Sequence, residues 1–199
     1  MPHLQVVLEV EGLGKRFGGR WVFRGLSFQL GRGDRLAVLG INGSGKSTLL
    51  KVISGLLPQS EGTVKLPCSD LRRCLGLSAL EQSLYPMLTV AEHLDLAARL
   101  RGCDSRAVAL LKLIGLDYAA DVQASHLSTG MKARLKMALA VQAQPEVLLL
   151  DEPGAGLDEE GHALVQTIVQ EQASRGCVIF ASNDPSERRL ANLELRLES

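Results

Sequence analysis

Gly40-Ile41-Asn42-Gly43-Ser44-Gly45-Lys46-Ser47 constrains this chain more than any other stretch. It matches the pattern G-x-x-x-x-G-K-[ST]. Before it runs Leu36-Ala37-Val38-Leu39, a short continuous apolar segment of the kind that forms a strand covered on both faces of a parallel sheet. After it, Leu49, Leu50, Ile53, Leu56 and Leu57 recur at helical spacing, predicting a helix from Lys46 to Leu57 that closes near Gly55 and Pro58. Glycines between a buried strand and a helix let backbone N–H groups close around a phosphate, and the helix N-terminus adds roughly half a positive charge. Lys46 then reaches the outer phosphates, and the Ser47 hydroxyl completes a Mg²⁺ shell. Gly40, Asn42, Gly43, Ser44, Gly45 and Thr48 make up the rest of the cradle. The alternative, a glycine-rich turn with an incidental lysine, does not explain the flanking strand and helix.

A phosphate loop that also does chemistry needs an acid. Val147-Leu148-Leu149-Leu150 is an apolar strand that ends in Asp151-Glu152. In open α/β sheets ligands sit at the carboxyl ends of strands, where both the Gly40 loop and this acidic pair belong. Asp151 suits the Mg²⁺ shell, and Glu152 suits polarisation of a water. Taken alone, the pair would read as a solvated strand end; beside a phosphate loop it reads as a site.

Around these motifs the first 30 residues read as strands. Leu8, Val10 and Leu13 fall near period two, Leu26, Phe28 and Leu30 alternate strictly, and Gly18-Gly19 lies between them. From about Leu88 to Ala143 the periodicity becomes helical. Leu94, Ala98 and Leu100 mark one helix, Val108, Leu111 and Ile114 a second stopped by Gly115, and Leu135, Ala138 and Leu139 a third ended by Pro145. A helix over about Glu159–Arg175 then leads to an apolar strand at Val178-Ile179-Phe180-Ala181. The order predicts an α/β domain with a mostly parallel sheet, an N-terminal antiparallel β part and an inserted helical part. We expect one domain over 1–199, with a core of 1–87 plus 145–199 and the helical part at 88–144.

Composition narrows the function. Lys plus Arg (22) balance Asp plus Glu (22), so no basic field is available for nucleic acid. Aromatic residues are 4% of the chain, too sparse for a base-stacking platform. Cys68, Cys74, Cys103 and Cys177 fit no CxxC or zinc spacing and are expected to be reduced, small and buried. The start Met1-Pro2-His3-Leu4-Gln5 lacks a basic region followed by an apolar one, and no apolar run is long enough to span a bilayer. A cytoplasmic chain is expected.

With these motifs in order, the chain resembles the nucleotide-binding subunits of ATP-binding-cassette transporters, over nearly its whole length. The family's signature is similar to Leu127-Ser128-Thr129-Gly130-Met131-Lys132, and its acidic motif with the dimer-contact loop is similar to Asp151-Glu152-Pro153-Gly154-Ala155-Gly156-Leu157-Asp158. Phe17 stands where the family places an adenine-stacking aromatic. The resemblance implies ATP and Mg²⁺ as ligands, with Ser47, Asp151 and Gln82 toward the metal. It implies Lys46, Glu152 and Asn183 in catalysis, and Ser128, Gly130 and Asp158 at the nucleotide across a head-to-tail homodimer or paired cassette. A separately encoded transmembrane permease is implied too, with the chain peripheral on the inner face of the membrane. The short length and the signature form resemble exporters, among them the haem exporters of cytochrome c maturation.

Two departures stand out. The family's histidine after the last core strand is Asn183 here, within Ala181-Ser182-Asn183-Asp184. An amide donates a hydrogen bond but carries no charge, so slow hydrolysis is expected. None of His3, His93, His126 or His162 replaces it. In the loop Gly76–Thr89, either Gln82 or Glu81 falls near the family's metal-touching glutamine, and Leu84-Tyr85-Pro86-Met87 reads equally as internal packing or as a docking surface. A soluble cassette acting as a nucleotide-dependent clamp is the other reading. It lacks support from any coiled coil, zinc module, tandem cassette or basic extension. A third reading, a P-loop kinase or GTPase, is disfavoured by the signature and by the absence of a guanine-reading N/T-K-x-D motif.

Overall fold

The computed structural model describes residues 6–66 and 68–197. The Met1–Gln5 stretch read for a targeting signal, with His3, lies outside them. β1 (Val6–Phe17) and β2 (Arg20–Gly31) form an antiparallel hairpin whose two-residue turn, Gly18-Gly19, has both φ angles positive at 52° and 83°. That backbone matches the twist of the flanking strands and suits glycine. The near-two period of Leu8, Val10 and Leu13 has a physical cause: the register shifts between Val10 and Leu13, at Gly12 with φ 56°.

β3 (Arg35–Leu39) leads through the glycine loop into α1 (Lys46–Ile53), shorter than the predicted Lys46–Leu57. Gly55, at φ 75°, turns the chain out of the helix and leaves Leu56 65% exposed. β4 (Glu61–Lys65) adds antiparallel to β1, giving the order β2-β1-β4. Next come α2 (Leu71–Cys74), β5 (Leu75–Ser78), α3 (Val90–Arg101), α4 (Ala107–Leu113) and α5 (Thr129–Val141), with two 3-10 turns between α4 and α5. The chain closes with β6 (Val147–Asp151), α6 (Glu159–Ala173), β7 (Cys177–Ala181), α7 (Pro185–Arg188) and β8 (Leu193–Arg196). The second sheet is wholly parallel, in the order β5-β6-β7-β3-β8.

The apolar runs are read by both faces of that sheet. On β6, Leu148 and Leu150 point to a core shared with Val90, Leu94, Leu135, Ala138, Val165 and Ile168. Val147 and Leu149 point to the other side, against Leu8, Leu13, Leu30, Leu49 and Ile53. Val147, Leu148, Leu149 and Leu150 are all fully buried, so truncating one of these leucines to alanine is expected to cost about 2–5 kcal/mol.

Two details of the predicted core change. Leu100 and Val108 face solvent, while the predicted Leu94, Ala98, Leu111 and Ile114 are buried, joined by Val90 and Leu110. The cysteine reading also needs correcting: Cys68 and Cys74 are disulfide-bonded, their Cα atoms 6.4 Å apart, and only Cys103 and Cys177 are free thiols. The cause is the four-residue α2, capped by Asp70, which folds Cys74 back toward Cys68. Cys177 keeps the expected role of a buried small hydrophobe, and burial pushes its thiol up to about 12.

Candidate functional site

Because β6, β7 and β3 are neighbours and parallel, their carboxyl ends form one crest. It carries Asp151-Glu152, Ser182-Asn183 and the Gly40 loop side by side. The loop is tight: a Cβ on Gly40 would meet Ser44 Oγ at 2.3 Å, and one on Gly45, which has φ 97°, would meet Val22 Cγ1 at 2.4 Å. Only glycine fits either place. Lys46 is buried, its Nζ donating to the carbonyl oxygens of Gly40 at 2.8 Å and Ile41 at 3.3 Å. Ser44 is also buried, and its Oγ has no hydrogen-bond partner. A buried unpaired hydroxyl, a buried ammonium held only by loop carbonyls and a glycine-lined turn together fit a phosphate group.

The acid and the loop meet directly. Ser47 Oγ donates to Asp151 Oδ1 at 2.9 Å, across 104 residues of sequence. A hydroxyl and a carboxylate in contact at the helix start offer the oxygen ligands a Mg²⁺ ion takes. Burial pushes the Asp151 carboxyl up, opposed by the Ser47 hydrogen bond and the charges of Lys51 and Lys46. Glu152 follows with φ 48°, one of two non-glycine residues at positive φ among those described. Its N–H donates to Ala181 O at 2.8 Å, holding it to β7. Such a backbone costs on the order of 1–3 kcal/mol, and that kind of strain gathers at functional sites. Burial raises the Glu152 pKa as well, opposed by Lys46 and the Asn183 N–H. A carboxylate with a raised pKa is a stronger base. Asn183 Nδ2 donates to Asn42 Oδ1 at 2.8 Å, which ties the β7 loop to the phosphate loop.

The two candidates in the Gly76–Thr89 loop separate. Gln82 N donates to Ala79 O at 3.1 Å, making a turn after which consecutive side chains diverge. Glu81 forms an ion pair with Lys51 of α1 and lies near enough to Asp151 to raise its pKa. Gln82 instead lines a depression of about 190 Å³ with Leu84, Tyr85, His93 and Leu139, where its Oε1 has no partner. The structure brings Glu81 toward Asp151 and leaves Gln82 apart from it. His93 is buried, with Nε2 accepting from Tyr85 N–H at 3.0 Å and Nδ1 2.7 Å from Thr89 O. Tyr85 and Met87 stand exposed beside it.

Ser128 caps α5, its hydroxyl accepting from Met131 N–H at 3.2 Å. Gly130 lies close to the loop after β6, where a Cβ would come 3.6 Å from Gly156 O. Asp158 caps α6 and accepts from Arg134 Nη2 at 2.7 Å, joining the signature helix to the acidic loop. Among the described residues no hydrogen bond joins Ser128 or Gly130 to residues 40–48. Phe17 is 51% exposed at the tip of the hairpin, with Lys15 Nζ 4.7 Å from its ring centroid. His126 is exposed in a 3-10 turn, as expected for a loop residue.

Sequence reasoning missed two lysines. Lys132 and Lys136 of α5 line a cleft of about 170 Å³ with Asp151 and Glu152, and Lys136 Nζ donates to Leu80 O at 2.6 Å. Burial, then the Lys132 charge, lowers the Lys136 pKa. Their four-residue spacing after Ser128 puts them on one helix face, a signal legible in retrospect. Arg134, which holds Asp158, carries no such local signal, because its partner lies on another element.

A glycine loop between a parallel strand and a helix, bonded to the acid at the end of a second parallel strand one place beyond its neighbour, defines a P-loop nucleotide-binding protein. The comparisons are more specific. The family profile for "ABC transporter" matches residues 23–155. The chain is 37% identical over 171 residues to the cytochrome c biogenesis ATP-binding export protein CcmA of Bradyrhizobium diazoefficiens, covering 83% of this chain and 85% of that protein. It is 30% identical over 190 residues to the linearmycin resistance ATP-binding protein LnrL of Bacillus subtilis, covering 89% of this chain but 61% of LnrL. A solved ATP-binding subunit of an ABC transporter superposes with a TM-score of 0.87 at 27% identity, over 96% of this chain and 86% of the other. The chain belongs to the ABC transporter family, as an ATP-binding cassette. Among the described residues no helix is long and apolar enough to cross a membrane.

Proposed function

We propose that this chain binds and hydrolyses ATP to power an ABC transporter, with the transport directed outward. The observation that carries the catalytic part is the Ser47–Asp151 hydrogen bond with Glu152 beside it, which gathers metal ligands and a base at one phosphate loop. Glu152 takes the proton of the attacking water, which its raised pKa favours. Lys46 leaves its loop carbonyls for the outer phosphates, and backbone N–H groups of residues 43–47 hold their oxygens. The Asn183 amide donates to the terminal phosphate but does not supply a positive charge. Phe17 offers its open ring face to adenine. Ser47 and Asp151 would hold Mg²⁺, with Glu81, which lies toward Asp151, nearer its shell than Gln82; the bound ion would offset charge on the phosphate oxygens.

Ser128 and Gly130 act on the nucleotide of a second cassette in a head-to-tail dimer that closes with ATP. Support comes from the unpaired N–H groups at the start of α5 and from the absence, among the described residues, of any bond from that helix start to its own phosphate loop. The exposed Tyr85 and Met87, beside the depression that holds Gln82, favour docking of a separate membrane permease there. The similarity to CcmA supports the export reading and a cytochrome c maturation role, with the chain peripheral on the inner membrane face.

The test is Glu152→Gln. ATP binding is retained, hydrolysis falls by about 10²–10⁴-fold, and the ATP-trapped protein co-purifies with one integral membrane protein. Unchanged hydrolysis would remove Glu152 as the base. A stable soluble complex with no membrane protein would instead favour the clamp reading.

A further inference from the structure

Behind the crest, three side chains outside the proposed catalytic machinery converge. His162 lies on α6, Asp184 caps α7, and Glu187 lies on α7; one ligand atom from each lies within 4.8 Å of the others. No hydrogen bond or ion pair joins these side chains to one another among the described residues. Glu187 is 3% exposed, and its Oε2 has no hydrogen-bond partner. Asp184 gives Oδ1 to the N–H and hydroxyl of Ser186, both at 2.7 Å, leaving its other oxygen open. The space between them is kept by Gly154: a Cβ there would meet Glu187 Oε1 at 2.2 Å and His162 Cε1 at 2.6 Å.

A buried carboxylate oxygen without a donor is costly unless something positive completes it. We propose that His162, Asp184 and Glu187 bind a divalent transition-metal ion of the zinc class. An imidazole nitrogen with two carboxylate oxygens suits Zn²⁺, which commonly takes three protein ligands and one water, whereas Mg²⁺ and Ca²⁺ prefer oxygen alone. His162 and Asp184 are only half-buried, so both have room to close to bonding distance. The ion ties the Gly154 turn, two residues past Glu152, to the loop that carries Asn183. It is separate from the nucleotide's Mg²⁺ and stands whether or not the proposed transport function does.

The test uses the full chain, stripped with EDTA and titrated with Zn²⁺ in excess Mg²⁺ without nucleotide. The expected result is stoichiometric Zn²⁺ uptake, abolished by His162→Gln and by Glu187→Gln and unchanged in Lys46→Ala. Gly154→Ala, which keeps an ordinary backbone but fills the space, weakens uptake by about tenfold or more. The Co²⁺ form shows visible absorption bands without thiolate charge transfer, excluding the cysteines. The proposal is overturned by no stoichiometric uptake, by uptake that survives both variants, or by thiolate bands. It is also overturned if mild acid without metal gives the same thermal stabilisation as Zn²⁺, since an imidazolium would then fill the space.

Discussion

Glu152 combines a strained backbone with a carboxyl that burial has made harder to ionise. This has a consequence apart from catalysis. A carboxyl whose folded pKa is raised favours the folded state fully below its unfolded pKa, and that contribution is lost as pH rises through the folded value. At pH 8 the native carboxylate is therefore a liability, and Glu152→Gln is expected to melt higher than the native protein. The two melting temperatures should converge near pH 4, where both side chains are neutral; thermal scans at the two pH values check it, and a lower melting temperature for the variant at pH 8 would reverse the sign. Asn183→His restores a titratable donor beside the phosphate loop, and ATP turnover is expected to rise. Equal rates would mean that the amide already suffices. At this scale the sequence was legible wherever a site is a contiguous string, as with Gly40–Thr48 and Asp151-Glu152. It was not legible where function lies in a contact between separate segments of the chain: nothing in the local string at His162 points to Glu187, and nothing at Asn183 points to Asn42.

Elements with strong periodicity were readable, while those held by one or two contacts were not. β6 and β7 announce themselves because both faces are buried, and the ends of α3 are marked by Thr89 with Glu92 as a capping box and by Gly102. β4 reads Glu-Gly-Thr-Val-Lys and packs only Val64 against the core, so its strand character comes from pairing with β1. α2 is held by the Asp70 cap, and the Cys68–Cys74 link closes across it. Thiol titration in denaturant without reductant should accordingly give the two thiols of Cys103 and Cys177; four would refute the link. Ser128 carries both a cap and a proposed role, and the two separate by measurement. Ser128→Ala should cost about 0.5–2 kcal/mol of stability through the lost bond to Met131 N–H. ATP turnover should fall far more than so small a loss explains. Ser128→Asn restores the cap, and on this reading it leaves hydrolysis impaired.

Across the whole molecule, the strand order β5-β6-β7-β3-β8 does the assembling. It sets the loops of three adjacent strands on one crest, and among the described residues no hydrogen bond joins the start of α5 to the phosphate loop there. The order itself was not in the sequence, because pairing in a parallel sheet is decided by long-range packing on both faces. What the sequence did carry was the class, through motifs whose chemistry demands that they meet. The central claim is that the working site is shared, with the phosphate loop of one chain and Ser128 of the other on the same ATP. Mixing Lys46→Ala protein with Ser128→Ala protein tests it most directly. Each variant alone should be inactive, and mixing should restore ATP hydrolysis, because one composite site in the mixed dimer keeps both an intact loop and an intact signature. A mixture as inactive as its components would contradict the shared site.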